Sequence, residues 1–226
     1  MKRLFFQAII VFSAIVLAGC RESGDNQDNK PGMPPPSYHY FIKGYVIPSE
    51  MNVHFDEDLD CLVWEIIGET VEVADTPEEL SEEARYFVEM YNDTYKGHTR
   101  VTALAYPIDE ITIFCDKDFD ARHSAREVLD DIVRTQYTSY YPYILNGYHL
   151  IYNPSLDIKW WSVSYDLCLD CVRGDLATLI SCSTEGKSWG RLTFTTTPDI
   201  PGEYTFTLSL TTNGETYTTT FTHTFE

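Results

Sequence analysis

Basic residues are scarce in this 226-residue chain: 16 Lys and Arg stand against 35 Asp and Glu, a formal net charge of −19 at pH 7. Such a charge repels phosphate polyanions at long range, which argues against nucleic acid and anionic membrane surfaces as partners. Apolar runs of membrane-spanning length are also missing. Leu4 to Ala18 is uncharged and mainly apolar, but its fifteen residues rise only about 22 Å as helix, short of a hydrocarbon core of roughly 30 Å. Cysteines are few. Besides Cys20 there are Cys61, Cys115, Cys168, Cys171 and Cys182, too few for a disulfide-stapled scaffold. Their odd number leaves at least one thiol free or paired outside the chain. Cys168-Leu-Asp-Cys171 has CxxC spacing, yet it lacks the strand-to-helix setting of a redox motif and the second pair that a zinc site wants. No internal repeat is present.

The residues that are there begin with a leader. Lys2 and Arg3 precede the apolar run, the pattern of a secretory signal. The run ends in Leu17-Ala18-Gly19-Cys20, which resembles the lipobox of bacterial lipoproteins. Small residues at 18 and 19 let an extended chain enter a peptidase groove, and a thiol at 20 suits a thioether. The resemblance implies that residues 1–19 are a signal peptide that is removed and that Cys20 carries a lipid. The partner so implied is a membrane, and the location an outer-membrane anchor on the periplasmic or extracellular face. Without Lys2 and Arg3 the formal charge moves from −19 to −21. Residues 21–37, RESGDNQDNKPGMPPPS, hold one large apolar side chain, Met33. That is too little burial to offset the entropy of ordering, so residues 20–37 read as a lipidated Cys and a disordered tether. Its span as coil is about 20–25 Å. The acidic residues after Cys20 resemble the export signals of Bacteroides-type cell-envelope lipoproteins.

Residues 38–226 read as one β-rich domain, with a boundary near 135–155 as the alternative. Strands are expected over His39–Ile47, Leu59–Ile67, Thr99–Tyr106, Ile108–Cys115, Lys159–Leu167 and Leu176–Ser183. Two capping boxes announce helices. Thr76-Pro77-Glu78-Glu79 precedes Leu80, Ala84, Phe87, Val88 and Tyr91 at helical spacing, and Ser124-Ala125-Arg126-Glu127 precedes Val128, Leu129, Ile132 and Val133. The C-terminus alternates with period two through Leu192–Thr195 and Tyr204–Leu210, and Asn213-Gly214 then signals a type I′ hairpin into Tyr217–Phe225. These last three strands resemble bacterial immunoglobulin-like domains, with Asp199…Gly202-Glu203-Tyr204 where such folds carry a tyrosine corner. The fold class so implied is mainly β, an immunoglobulin-like β-sandwich with one or two inserted helices.

Several constellations are candidates for chemistry. Gly186-Lys187-Ser188-Trp189-Gly190 matches G-x-S-x-G, with Asp199 and His223 following in hydrolase order, but strand rather than helix follows the Ser and a Gly-rich turn is the simpler reading. Asp116, Asp118 and Asp120, with Glu127 twelfth from Asp116, have the spacing of a calcium loop. Ala121 stands where that loop wants Gly, a strand leads in, and Glu127 belongs to a capping box. Asp56, Asp58 and Asp60 repeat the spacing without the final Glu. Trp160 and Trp161, with Tyr140, Tyr141 and their Tyr-rich neighbourhood, could stack against the apolar faces of sugars. In a strand Trp160 and Trp161 point to opposite faces.

The expectation is a non-catalytic cell-envelope lipoprotein with a binding or structural role. Its ligand class is carbohydrate or an envelope protein, and it has no resident cofactor unless calcium fills the 116–120 loop. The rival classes are a hydrolytic enzyme and a calcium-stabilised adhesion module.

Overall fold

In the computed structural model, residues 38–153, 157–183 and 186–226 are described; the leader, Cys20 and the tether lie outside them. The described chain falls within one compact unit and is mainly β, with several sheets. Its elements in order are β1 (Ile42–Asp56), β2 (Cys61–Glu72), α1 (Glu82–Met90), β3 (Val101–Leu104), β4 (Ile108–Cys115), β5 (Val133–Ser139), α2 (Tyr141–Leu145), β6 (Ile151–Asn153), β7 (Ile158–Trp160), β8 (Val163–Cys168), β9 (Ser181–Cys182), β10 (Lys187–Phe194), β11 (Gly202–Thr212) and β12 (Glu215–Phe225). No helix among the described residues is long and apolar enough to cross a membrane.

A seven-stranded sheet runs β2-β1-β3-β9-β10-β5-β8, and β10 also pairs with β2, which closes five of the strands into a ring. A three-stranded sheet, β12-β11-β4, has β11 at its centre, and β6 pairs with β7 alone. Strict alternation builds these strands. In β11, Tyr204, Phe206, Leu208 and Leu210 point inward, and the Thr and Ser between them point outward, as a half-buried strand requires. The larger core draws on both sheets: Val46, Trp64 and Ile66 from one meet Ile113, Phe206 and Leu208 from the other. Each such side chain contributes about 1.5–3 kcal/mol through burial. A second core lies under the two helices and joins Phe41, Tyr45, Phe87, Tyr91, Tyr140 and Tyr143. Within it Asp93, 1% exposed, accepts from Phe41 N at 3.0 Å, Ile42 N at 2.9 Å and the Tyr148 hydroxyl at 2.8 Å. Those donors satisfy a carboxylate that burial would otherwise penalise.

The hairpin expected at Asn213-Gly214 forms, with φ of 50° and 76° at the two turn residues and eleven paired positions from Gly202↔Phe225 to Thr212↔Glu215. The Tyr204 hydroxyl donates to Ile200 O at 2.7 Å, tying the strand to the turn before it. The single strand expected over Lys159–Leu167 breaks at Trp161 and Ser162 into β7 and β8, because β7 pairs with β6 and β8 with β5, and three further local expectations fail. The first helix does not start at Thr76. Pro77–Glu79 makes a single 3-10 turn, and α1 is capped instead by Ser81, whose Oγ accepts from Ala84 N at 3.1 Å. Capping there puts Ala84, Phe87 and Val88 on the buried face. The second helix, over 124–133, does not form. Ser124 N does reach Glu127 Oε2 at 2.7 Å, but Arg126 has φ 68° and the amides of Arg126 and Leu129 bond Cys115 O and Ile113 O at the edge of β4. The open edge of β4 outcompetes a helix, and Leu129 and Ile132 are buried all the same. The strand over Leu176–Ser183 shrinks to β9, because Gly174–Ala177 forms a 3-10 turn and Leu179 has φ 49°.

Candidate functional site

Four of the G-x-S-x-G residues, Lys187 to Gly190, lie in β10 rather than in an elbow, and the turn expected there is confined to Gly186, which precedes the strand with φ 75° and donates from N to Ser183 O at 3.2 Å. Ser188, Trp189 and Gly190 are strand residues, and Ser188 is fully buried opposite Cys182. A hydroxyl sealed in a sheet interior cannot meet a substrate, so the hydrolase reading loses its nucleophile. Alternation instead sends Ser188, Gly190 and Leu192 inward and leaves Trp189 and Arg191 on the outer face.

That outer face holds a depression of about 340 Å³ lined by Gln136, Thr138, Ser164, Trp189 and Arg191, among others. The strands set its width: Arg191 is the register partner of Gln136, and Thr138 of Ser164. A second depression, of about 490 Å³, shares Ser164 and is lined by Tyr152, Trp160 and Ser162. The β6–β7 pair, in which Ile151 pairs with Trp160, supplies part of its lining. Trp189 is 45% exposed, Trp160 42% and Tyr152 53%. Single exposed rings are ordinary, but three large aromatics at adjoining depressions form an apolar surface interleaved with hydroxyls and an amide.

The candidate aromatic residues therefore separate. Trp160 lies in the groove. Trp161 is exposed but lines neither depression. Tyr140 and Tyr141 do not join the platform. Tyr140 is buried in the second core, edge-on to Phe41 at 5.7 Å, and Tyr141 is half-buried against Tyr91 at 6.3 Å. The Tyr140 hydroxyl still meets Ser181 Oγ at 2.8 Å, and Ser181 is among the residues that line the first depression. Burial pushes the Tyr140 phenol up, so it stays a neutral hydrogen-bonding group.

Trp189, Arg191 and Gln136 were hidden from sequence reasoning because the G-x-S-x-G pattern drew attention to Ser188. The usable signal was the alternation running back from Leu192, which puts a Trp and an Arg outward in consecutive outer positions.

The carboxylates of the 116–120 loop each hold a separate backbone amide. Asp116 Oδ1 accepts from Thr205 N at 3.0 Å, Asp118 Oδ1 from Ala125 N at 2.8 Å and Asp120 Oδ1 from Arg122 N at 2.7 Å. Asp120 also meets His123 Nδ1 at 2.9 Å, while Asp131 faces the other ring nitrogen at 3.1 Å. Amide donors, led by Arg122 N, hold the Asp120 carboxyl below the usual range. Among the described residues no group of three or more His, Cys, Asp or Glu is arranged to hold a metal. The five described cysteines are free thiols. Cys182 is pushed up to about 12, chiefly by burial, which suppresses the thiolate that reactivity needs.

The fold and groove thus define a mainly β protein with an open aromatic cleft. Comparison with protein-family models, curated proteins and solved structures finds no match for the chain.

Proposed function

We propose that the protein is a lipid-anchored cell-envelope module that binds an extended glycan along the groove joining Trp189, Ser164, Trp160 and Tyr152. The observation that carries this reading is the pair of adjoining depressions with half-exposed rings at each end and hydroxyl and amide groups between them. Sugars offer apolar C–H faces to such rings, and polar groups fix their orientation. An open groove whose described lining is aromatic rings, hydroxyls, amides and one guanidinium suits capture of a ligand. Stacking contributes about 0.5–1.5 kcal/mol per ring beyond burial, so affinity falls in the millimolar to micromolar range.

The anchor is proposed from the lipobox ending at Cys20, and labelled fatty acid incorporated equally into a Cys20→Ala variant would refute it. The finer fold proposed is an immunoglobulin-like sandwich with a modified first half. Three features support it: β10 and β11 lie in different sheets, β11 sits between β12 and β4, and the Tyr204–Ile200 bond lies at the expected corner.

A glycan array on the 38–226 domain, followed by tryptophan-fluorescence titration, tests the ligand class. Trp160→Ala should weaken binding several-fold without changing the melting temperature. An array without a single hit, or full binding by the variant, would leave an envelope-protein partner as the better reading.

A further inference from the structure

Arg191 is the one cation lining either depression among the described residues, and it is unspent. Its Nε is shut away from water and has no hydrogen-bond partner. The acidic residues nearest in register are otherwise placed. Asp166, beyond Gln136 in the sheet, is taken by Arg134, whose Nε donates to Asp166 Oδ1 at 2.9 Å and whose NH2 donates to Asp166 O at 2.6 Å. Glu65 lies opposite Trp189 on β2 and forms no ion pair with Arg191. A guanidinium is permanently charged and presents donors in a planar fork. Nε lies too deep for a ligand to reach, so the part of the fork open to a bound anion is its terminal nitrogens, for which no hydrogen bond or ion pair is found among the described residues.

We propose that the groove selects acidic glycans, with Arg191 pairing a carboxylate or sulfate on a sugar ring that stacks on Trp189. This rests on the glycan reading above and adds the charge class of the ligand. Gln136, Thr138 and Ser164 stand beside Arg191 as partners for ring hydroxyls. The bulk charge makes the preference diagnostic. A domain this acidic repels polyanions at long range, so tighter binding of an acidic glycan than of its neutral twin has to come from a local contact.

The experiment titrates the domain with four probes: oligogalacturonide, the same oligomer methyl-esterified, dextran sulfate and dextran. The wild-type domain should bind at least one acidic probe about tenfold more tightly than its neutral counterpart. The two acidic arms tell whether carboxylate or sulfate is preferred. Arg191→Gln should abolish the difference between acidic and neutral probes. Arg191→Lys should retain part of it, because charge remains while the fork is lost. Arg122→Gln, which removes the same charge from the exposed loop after β4, should change nothing. Equal affinity for acidic and neutral probes, or an acid preference that survives Arg191→Gln, overturns the acidic selection and leaves glycan binding standing. No binding of any of the four, with an empty glycan array, overturns both. The wild-type comparison needs no variant, so a misfolded Arg191→Gln would not shield the proposal.

Discussion

Adding one carbon at Gly190 should be among the most damaging small changes to this domain. Gly190 faces Trp64 across the β10–β2 pair, and a Cβ built there would lie 2.5 Å from Trp64 Cε2 and 2.6 Å from Nε1. The indole has nowhere to go. Trp64 is fully buried, its Nε1 donates to Thr135 Oγ1 at 2.7 Å, and Thr135 is itself fully buried. Overpacking of this kind costs about 1–3 kcal/mol. If the ring tilts to relieve it, the indole and the Thr135 hydroxyl lose their bond in a dry site, about 1–3 kcal/mol more. We therefore expect Gly190→Ala to destabilise by about 3 kcal/mol, a fall in melting temperature of about 6–12 °C for a domain of this size. Urea unfolding followed by circular dichroism measures it. The cause is checked by repeating the substitution in a Trp64→Phe background, where the smaller ring leaves room and the cost of alanine should fall. A Gly190→Ala variant within 0.5 kcal/mol of the parent, or an equal cost in both backgrounds, would refute the reasoning. Because Trp189 and Arg191 flank this glycine, a shifted β10 should also weaken ligand binding.

Two further predictions concern the turn and the acidic cluster. Gly214→Val forces a β-branched residue to φ near 76° in the β11–β12 hairpin and should destabilise by roughly 1 kcal/mol or more; a variant as stable as the parent in urea would show that the turn relaxes freely. Asp130 is raised to about 6, first by burial and then by Glu110, Asp170 and Asp131, while Ile113 N, donating at 2.9 Å, pulls the other way. A folded-state value above the unfolded one, about 3.9, means that the folded chain binds the extra proton. The resulting stability is complete below about pH 4 and lost as pH rises through 6. Asp130→Asn keeps the acceptor for Ile113 N and removes the charge, so it should stabilise at pH 7 by about 1 kcal/mol after allowance for solvent screening. It should change little at pH 4. A difference from wild type that is flat between pH 4 and 7 in urea titrations would rule this out.

Local chemistry alone was enough to read several elements from the residues. Asn213-Gly214 accepts positive φ at both positions, so the hairpin follows from two side chains and the alternation around them. Ile108–Cys115 was bounded correctly because Pro107 stops it and Ile111 and Ile113 mark one face. The helix that becomes α1 was placed by its apolar spacing, but its start was not, since the capping box at Thr76 is a local pattern and the start at Ser81 goes with the burial of Ala84 and Phe87. The same limit defeated the helix at 124–133. Its capping bond forms, yet the amides that would propagate it find carbonyls on β4, a partner about a dozen residues back that no local pattern announces.

The sequence by itself determined the acidic charge, the alternating strands, the hairpin and the aromatic richness, because each depends on residue type or on neighbours a few positions apart. The tertiary structure decided which aromatics are available. Tyr140 went into a core, while Trp160 stayed out on a two-stranded ribbon. It also decided that Trp189 and Arg191 should meet Gln136 and Ser164, residues 25 to 55 positions away. Register between strands distant in sequence is fixed by the whole core packing at once, and the face that β10, β5 and β8 give to the groove exists only after that register is set.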